Sequence, residues 1–147
     1  MKLIFGSDHA GFEMRRHVAD WATSQGHEVT EVGANSTEPF DYPLASDAVA
    51  CEIKKGAFEF GVLLCGTGIG VSIRANRYPH IRAADCTSVE MARLGRLHNH
   101  ANVLCLGARI LSKEESVAIF QAFMETGTDD AERHDRRVDF LDASLSC

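Results

Sequence analysis

The sequence predicts an α/β protein: a three-layer α/β/α sandwich around one five-stranded parallel sheet, with an extra helix at the C-terminal end. Short apolar runs of strand length alternate with segments whose apolar residues recur at helical spacing, and this alternation is typical of a parallel sheet covered on both faces. The chain has 147 residues and is 45% hydrophobic, which suits a single domain over residues 1–147.

The predicted elements follow one another in a regular order. Gln25-Gly26 ends the first helix, and Tyr42-Pro43 opens the second because proline suits the first helical turn. The predicted strands cover residues 2–7, 28–32, 60–65, 82–85 and 103–106. The predicted helices cover residues 12–24, 42–55, a short stretch from about 69, 89–97, 113–125 and 131–141.

The third strand leads into a glycine-rich turn. It ends at Cys65, and Gly66, Gly68 and Gly70 follow within five residues. Glycine lets a backbone approach a ligand closely, and the first N–H groups of a helix have no intrahelical partner, so the turn can offer several donors to one anion. A helix N-terminus also favours the thiolate form of a cysteine. The turn therefore pairs a potential base or nucleophile with an anion hole.

Three other types of loop and one structural interpretation compete for this turn. A dinucleotide-binding turn needs a third glycine at position 71, a phosphate-binding NTPase loop needs a lysine after its last glycine, and a cysteine phosphatase needs an arginine six positions after its cysteine. Position 71 is Val71 and Ser72 follows it, so the sequence supplies neither the third glycine, nor the lysine, nor the arginine. A glycine-rich turn beside a buried, inert Cys65 remains an open interpretation of the turn alone.

Composition narrows the possible partners. A net charge of −6 disfavours nucleic acid and anionic membranes, and no apolar run approaches the ~20 residues of a membrane span. The first residues turn acidic too early for a secretory signal, so we expect a cytoplasmic protein. No Cys-x-x-Cys pair occurs, which predicts reduced thiols rather than disulfides or a zinc cluster for Cys51, Cys65, Cys86, Cys105 and Cys147.

Polar residues follow several strands and should meet at one edge of the sheet. Ligands of parallel sheets bind outside the carboxyl ends of the strands, where Asp8, His9, Cys65 and Arg109 are expected. Asp8 by itself fits a helix cap better than a catalytic group. His98 precedes the fifth strand and should lie at the opposite edge. We expect no metal, since no other metal-ligand spacing accompanies His98 and the histidine two residues later.

The C-terminal helix carries the densest basic cluster of an acidic chain, Arg133, Arg136 and Arg137. The planar guanidinium group suits a phosphate. Arg133 and Arg137 are four residues apart and share a helix face, which also fits a solvated surface paired with Glu132 or Asp135.

Six motifs occur together in one order: Asp8-His9-Ala10-Gly11-Phe12-Glu13, Asp41-Tyr42-Pro43, Cys65-Gly66-Thr67-Gly68-Ile69-Gly70, His98-Asn99-x-Ala101-Asn102-Val103-Leu104, Leu106-Gly107-Ala108-Arg109 and Arg133-His134-x-x-Arg137-Val138. This combination resembles the ribose-5-phosphate isomerase type B family, which also contains galactose-6-phosphate and allose-6-phosphate isomerases. The resemblance covers nearly the whole chain.

The resemblance implies a Rossmann-like or flavodoxin-like sandwich and a homodimer that can pair into a homotetramer. Active sites would be built across the subunit interface, which would let His98 or the terminal arginines reach a partner's Cys65. The substrate would be a phosphorylated sugar, and neither a metal nor a redox cofactor would be required.

The resemblance also assigns roles. Cys65 would move a proton between carbons 1 and 2 of the open-chain sugar, Thr67 would assist proton movement between oxygens, and His98 would open the furanose ring. The binding residues divide by the group that they hold: the enediolate oxygen by the backbone of Gly66, Thr67, Gly68, Ile69 and Gly70, sugar hydroxyls by Asp8 and Asn99, and the phosphate or the sugar near it by His9, Arg109, Arg133 and Arg137.

Two features depart from the family pattern. His100 stands where acidic or amide residues are common, and the loop 33–40 has its own sequence. Ribose 5-phosphate is the expected substrate. Isomerisation of a tetrose or hexose phosphate, or a non-catalytic phosphosugar-binding module, are the alternatives.

Overall fold

The computed structural model describes residues 1–129 and 131–143 and has the predicted α/β architecture. Cys147, which we expect to be a reduced thiol, lies outside the described residues. The strands are β1 (Lys2–Ser7), β2 (Glu28–Gly33), β3 (Phe60–Cys65), β4 (Ala83–Asp85) and β5 (Val103–Gly107). The helices are α1 (Phe12–Ser24), α2 (Tyr42–Lys54), α3 (Ile69–Ala75), α4 (Val89–Asn99), α5 (Lys113–Glu125) and α6 (Glu132–Asp142).

The five strands form one parallel sheet in the order β2-β1-β3-β5-β4. This differs from the flavodoxin order 2-1-3-4-5 by an exchange of the last two strands. β3 and β5 are therefore neighbours, and Cys65 pairs in register with Gly107. The strand that carries the cysteine lies at the centre of the sheet, between β1 and β5.

Side chains alternate between two cores because successive strand residues point to opposite faces. Leu64 and Leu106 pack on one face against α1, α4 and α5, while Leu63 and Cys65 pack on the other against α2 and α3. Both predicted helical layers are thus present. Cys65 belongs to the face that α3 covers, so the helix that follows the glycine turn also covers the cysteine.

The end of α4 differs from the sequence prediction, which ended this helix at residue 97 and placed His98 and Asn99 in a loop. Both residues form the last helical turn. His100 adopts φ 48°, and the Ala101 N–H donates to the Gly95 carbonyl at 3.0 Å. This left-handed closure satisfies carbonyls of the last turn, and so the helix continues through Asn99.

The terminal helix α6 packs against α4. Its buried contacts are His134 and Val138, which are four residues apart on one face. The Arg82 guanidinium, just before β4, donates to the Asp142 carboxylate at the end of α6, with N–O distances of 2.9 and 2.7 Å. Within the described residues, none of the helices has the length and apolar content needed to cross a membrane.

Candidate active site

The candidate site residues lie at two edges of the sheet. We call the edge at which the strands end the carboxyl edge; it carries Asp8, His9, the turn 65–70 and Arg109. We call the edge at which they begin the amino edge; it carries the last turn of α4 and the first turns of α6.

At the carboxyl edge, Cys65 is held by the turn that follows it. Its Sγ accepts a hydrogen bond from the Gly68 N–H at 3.2 Å, and its exposed fraction is only 5%. Gly68 adopts φ 82°, a left-handed conformation that glycine tolerates and that turns its N–H back towards the sulfur. An N–H donor on sulfur stabilises a thiolate, and so the contact suits a cysteine that works as a base.

A carboxyl group packs beneath the same turn. Asp85 is the last residue of β4, and a Cβ added at Gly68 would clash with its Oδ1. This oxygen is buried without a hydrogen-bond partner among the described residues, and burial raises the pKa of the carboxyl. Gly68 is therefore required both by its backbone conformation and by the space that Asp85 occupies.

Backbone hydrogen bonds join the glycine turn to the end of β5. Ala108 N–H donates to the Cys65 carbonyl and Arg109 N–H to the Gly66 carbonyl, both at 2.9 Å. The Arg109 guanidinium lies over Gly66, where an added Cβ would meet its Nη1 at 3.3 Å. Thr67 is exposed, and its Oγ1 accepts from the Ile69 N–H at 3.4 Å. The predicted neighbourhood of Cys65, Thr67 and Arg109 is thus present in one chain.

Asp8 and His9 are anchored at the end of β1. Asp8 is buried, and its Oδ1 accepts from the Gly11 N–H at 2.9 Å. The N-cap of α1 is Gly11 rather than Asp8, so this bond fixes the turn before the helix and the helix-cap interpretation is wrong. His9 Nδ1 lies 3.2 Å from the Phe40 N–H, which can only donate. The same nitrogen lies 3.3 Å from the Phe40 carbonyl oxygen, so His9 is held against the backbone of Phe40. Through Phe40, the loop that departs from the family pattern positions a predicted phosphate-binding residue.

The amino edge carries the remaining predicted residues. His98 and Asn99 end α4, and Arg133 and Arg137 lie exposed on α6. Asn99 lines a cavity of about 410 Å³ together with Arg82 and Leu141, among others. This volume falls within the ~300–1,000 Å³ of small-ligand pockets. The cavity contains neither Cys65 nor the α6 arginines, so it holds only part of the predicted site.

His98 stacks on His134, with ring centroids 4.3 Å apart and planes tilted by 43°. The Asp129 carboxylate lies 3.2 Å from His134 Nδ1. In the described part of the chain, His98, Asp129 and His134 are the one group of three metal-type side chains, with ligand atoms within 4.8 Å of one another. Two imidazoles and a carboxylate match the donor set of a zinc site.

One chain does not bring the two edges together. A strand of five or six residues is roughly 17–20 Å long, which is too far for His98 or the α6 arginines to reach Cys65 of their own chain. The prediction that His98 lies at the edge opposite Cys65 is confirmed by its place before β5.

Two residues at the carboxyl edge were missed by the sequence analysis. The Tyr42 ring packs on Gly70, where an added Cβ would lie 2.9 Å from it, and its motif Asp41-Tyr42-Pro43 was the available signal. Arg15 is 4% exposed and donates to the Ser7 hydroxyl and to the carbonyls of Val32 and Ala34. Its position on the apolar stripe of α1 could have identified it as a buried arginine that fixes the loop after β2.

The chain is similar in sequence to known proteins over nearly its whole length. Residues 3–141 match the Ribose/Galactose Isomerase family. Ribose-5-phosphate isomerase B of Escherichia coli (strain K12) is 37% identical over 142 residues, covering 97% of this chain and 95% of the relative. Ribose-5-phosphate isomerase B of Mycobacterium tuberculosis (strain H37Rv) is 36% identical, covering 96% of this chain and 88% of the relative.

Solved structures agree in fold. The ribose 5-phosphate isomerase of Thermotoga maritima superposes with a TM-score of 0.93 at 43% identity, covering 96% of this chain and 97% of that one. The type B ribose 5-phosphate isomerase of Trypanosoma brucei has a TM-score of 0.94 at 36% identity, with 98% of both chains covered.

Proposed function

The chain belongs to the Ribose/Galactose Isomerase family, and we propose that it is an aldose–ketose isomerase that interconverts ribose 5-phosphate and ribulose 5-phosphate. The observation that carries this proposal is the Cys65 Sγ held at 3.2 Å by the Gly68 N–H, at the head of the glycine-rich turn. A thiolate next to an anion hole is what proton transfer beside a carbonyl requires.

In the proposed mechanism the Cys65 thiolate removes the proton from carbon 2 of the open-chain aldose. The electrons of that C–H bond form the carbon 1–carbon 2 double bond, and the carbonyl oxygen becomes the enediolate oxygen. Backbone donors of residues 66–70 stabilise it, and one well-aimed donor lowers such a barrier by about 2.7–4 kcal/mol. Thr67 moves the hydroxyl proton from oxygen 2 to oxygen 1. Cys65 then protonates carbon 1, which yields the ketose.

The remaining residues bind and prepare the sugar. His98 opens the furanose ring, and Asp8 uses its second carboxylate oxygen, with Asn99, to bind sugar hydroxyls. His9 binds the phosphate, whose charge Arg109, Arg133 and Arg137 neutralise. The chain has a net charge of −6, and these arginines supply the local positive charge that an anionic substrate requires.

A coupled assay for the ketose phosphate tests the activity. We expect the purified protein to convert ribose 5-phosphate to ribulose 5-phosphate without added metal or cofactor. Absence of turnover on every four- to six-carbon aldose phosphate, with binding retained, would leave only a phosphosugar-binding module.

We further propose a homodimer in which each active site takes Cys65 from one chain and His98, Arg133 and Arg137 from its partner. The argument is the separation of the two edges within one chain. In addition, the carboxyl edge exposes apolar side chains that a partner would cover: Tyr42, Leu44, Ile69 and Ile73 are 41–58% exposed. Two-fold symmetry would complete both sites at once. Pairing of dimers into a tetramer is compatible with this arrangement.

Mixing two inactive variants tests the shared site. Cys65→Ala and His98→Asn chains, unfolded together and refolded, form mixed dimers with one site that has both native residues. Statistical pairing under two-fold symmetry then recovers about a quarter of wild-type activity. If both residues served the same chain's site, no mixed dimer would contain an intact site and activity would stay at the level of the separate variants.

We propose one isomerase domain over residues 1–147, working in the cytoplasm. Sugar phosphates are charged and do not cross membranes unaided, so an isomerase works in the compartment where they are made. Fractionation of cells that express the tagged protein tests this location.

A further inference from the structure

The first turn of α6 contains a chain of polar contacts that the proposed mechanism does not use. It runs from Asp129, in the segment before α6, through the ring of His134 to the side chain of Arg133. We propose that Asp129 and His134 are positioning residues that orient Arg133 for the substrate phosphate and support the ring of His98. This inference rests on the proposed function, because it assigns Arg133 to a phosphate and His98 to ring opening.

The direction of the hydrogen bonds follows from what arginine can do. Arg133 Nε lies 3.3 Å from His134 Nε2, and a guanidinium only donates. His134 Nε2 must therefore be an unprotonated acceptor, and the proton of the neutral ring is on Nδ1. That nitrogen lies 3.2 Å from the Asp129 Oδ2, an electrostatic contact whose geometry falls short of a hydrogen bond among the described residues. With Nε engaged, the two terminal nitrogens of Arg133 are left for a bidentate contact with phosphate.

Asp129 is itself fixed from both sides. Its N–H donates to the Leu97 carbonyl at 3.1 Å, next to His98 in α4, and its Oδ1 accepts from the Ala131 N–H at 2.7 Å. The hydrogen bond from the Ala131 N–H is the largest cause of a lowered pKa for the Asp129 carboxyl. Asp129 thus stays ionised and links the end of α4 to the start of α6.

Burial makes His134 a rigid support. It is only 3% exposed, whereas Arg133 lies on the exposed side of α6. One face of its ring meets His98 at a centroid distance of 4.3 Å. A change at His134 should therefore alter phosphate binding through Arg133 and ring opening through His98. In this proposal His134 itself contacts neither the phosphate nor the sugar ring.

A divalent metal ion would use the same side chains differently. A metal on His134 Nδ1 would displace its proton, and the neutral ring would then carry a proton on Nε2, which faces the Arg133 N–H. The observed hydrogen bond opposes that arrangement. Zinc binding is accordingly one outcome that would overturn the proposal.

The imidazole ¹⁵N spectrum of the wild-type protein tests the tautomer without any assay of turnover. We expect His134 Nδ1 to be protonated and Nε2 unprotonated. A proton on Nε2, or tight one-to-one binding of zinc that His134→Gln abolishes, would overturn the proposal. Because this measurement needs no substrate, it separates failure of the inference from failure of the proposed isomerase activity.

Two variants separate positioning from general support. His134→Gln keeps an acceptor near the Nε2 position, while His134→Asn keeps only an amide near Nδ1. We expect His134→Asn to weaken the affinity for ribose 5-phosphate and for inorganic phosphate by about tenfold, roughly one hydrogen bond to a charged group. His134→Gln should restore most of that affinity. Equal losses for both variants would assign His134 a structural role only.

A double-mutant cycle completes the test. In an Arg133→Ala background, His134→Asn should weaken phosphate binding little further, because both changes remove the same contact. Additive losses would show that His134 acts independently of Arg133. Asp129→Asn should also weaken phosphate binding, but by less than His134→Asn does. The asparagine amide keeps an oxygen that can accept from the Ala131 N–H.

Discussion

The two edges of the sheet are built in different ways. At the carboxyl edge, hydrogen bonds donated by main-chain N–H groups fix the candidate residues: Gly68 to the Cys65 sulfur, Arg109 to the Gly66 carbonyl, and Asp8 to the Leu64 carbonyl. At the amino edge, contacts between side chains on two helix ends fix the candidate residues: His98 packs on His134, and Arg133 contacts the ring of His134.

This difference suits two kinds of task. Proton transfer needs a base and an anion hole held to within fractions of an ångström, and a backbone turn between central strands supplies that rigidity. Holding a phosphate needs charge and reach, which exposed arginines on a helix provide. The proposed dimer would thus combine a rigid chemical half-site with an adaptable binding half-site.

The largest expected effect is at the rigid edge. Cys65→Ala should lower turnover by about 10²–10⁴-fold, the usual contribution of a positioned general base. Ligand binding should persist because the turn and the arginines remain. Serine should not restore activity, since its hydroxyl ionises too weakly. Deuterium exchange at carbon 2 of the sugar measures the step directly.

Cys51→Ala is the matched control, since this thiol is exposed on α2 and outside the site. It should exchange deuterium at the wild-type rate. Wild-type exchange in Cys65→Ala would instead show that another residue is the base and that the carboxyl edge only binds.

The fixed distance between the two half-sites should select the substrate's length. One extra carbon moves the phosphate by roughly 1.3 Å, and a misplacement of about 1 Å can cost on the order of a hundredfold in rate. We therefore expect kcat/KM for ribose 5-phosphate to exceed those for erythrose 4-phosphate, allose 6-phosphate and galactose 6-phosphate. A tetrose or hexose phosphate that is better by more than tenfold would change the substrate but keep the reaction class.

The arginines of the amino edge should matter for the phosphate alone. Arg133→Ala or Arg137→Ala should weaken binding of a phosphorylated sugar by about 1.5–3 kcal/mol, the usual strength of a hydrogen bond to a charged group. The unphosphorylated sugar should bind nearly as before. Arg136→Ala removes the same charge from the same helix outside the proposed clamp and serves as the control. Equal losses for both sugars would make these arginines structural.

The fold was predictable because local signals agreed with one another. Alternating strand and helix patterns gave all eleven elements, and their boundaries were nearly right. Chain order could not reveal that β5 inserts between β3 and β4, because that depends on packing between distant segments. The sequence pattern also did not predict where α4 ends, because His100 closes this helix in a left-handed conformation.

The candidate site was predictable where topology alone determines position. Asp8, Cys65 and Arg109 follow parallel strands, and so they share one edge. Asp129 and Asp85 carried no such signal. The first acts through a neighbouring ring, and the second becomes important only because Gly68 folds onto it. Contacts of this kind depend on tertiary structure and have no pattern in a single sequence.

The smallest expected effect concerns two carboxyl groups with opposite pKa shifts. Burial raises the pKa of Asp85 beneath the glycine turn, whereas a hydrogen bond from Arg74, first among its causes, lowers the pKa of Asp47 on α2. Ionised Asp85 therefore opposes folding at pH values above its folded pKa, while ionised Asp47 favours folding above its unfolded pKa of about 3.9.

Asp85→Asn should raise Tm near neutral pH, and the gain should fade as the pH falls through the raised folded pKa and below the unfolded pKa of about 3.9, where Asp85 is protonated in both states. Asp47→Asn should lower Tm near neutral pH, and the loss should fade as the pH falls through the depressed folded pKa. Each kcal/mol corresponds to about 2–4 °C in a domain of this size. Melting curves from about pH 2 to 8 check both signs and both pH dependences. If Asp85→Asn instead lowered Tm, its carboxylate would be a stabilising part of the turn, and the carboxyl edge would carry no stability cost for its function.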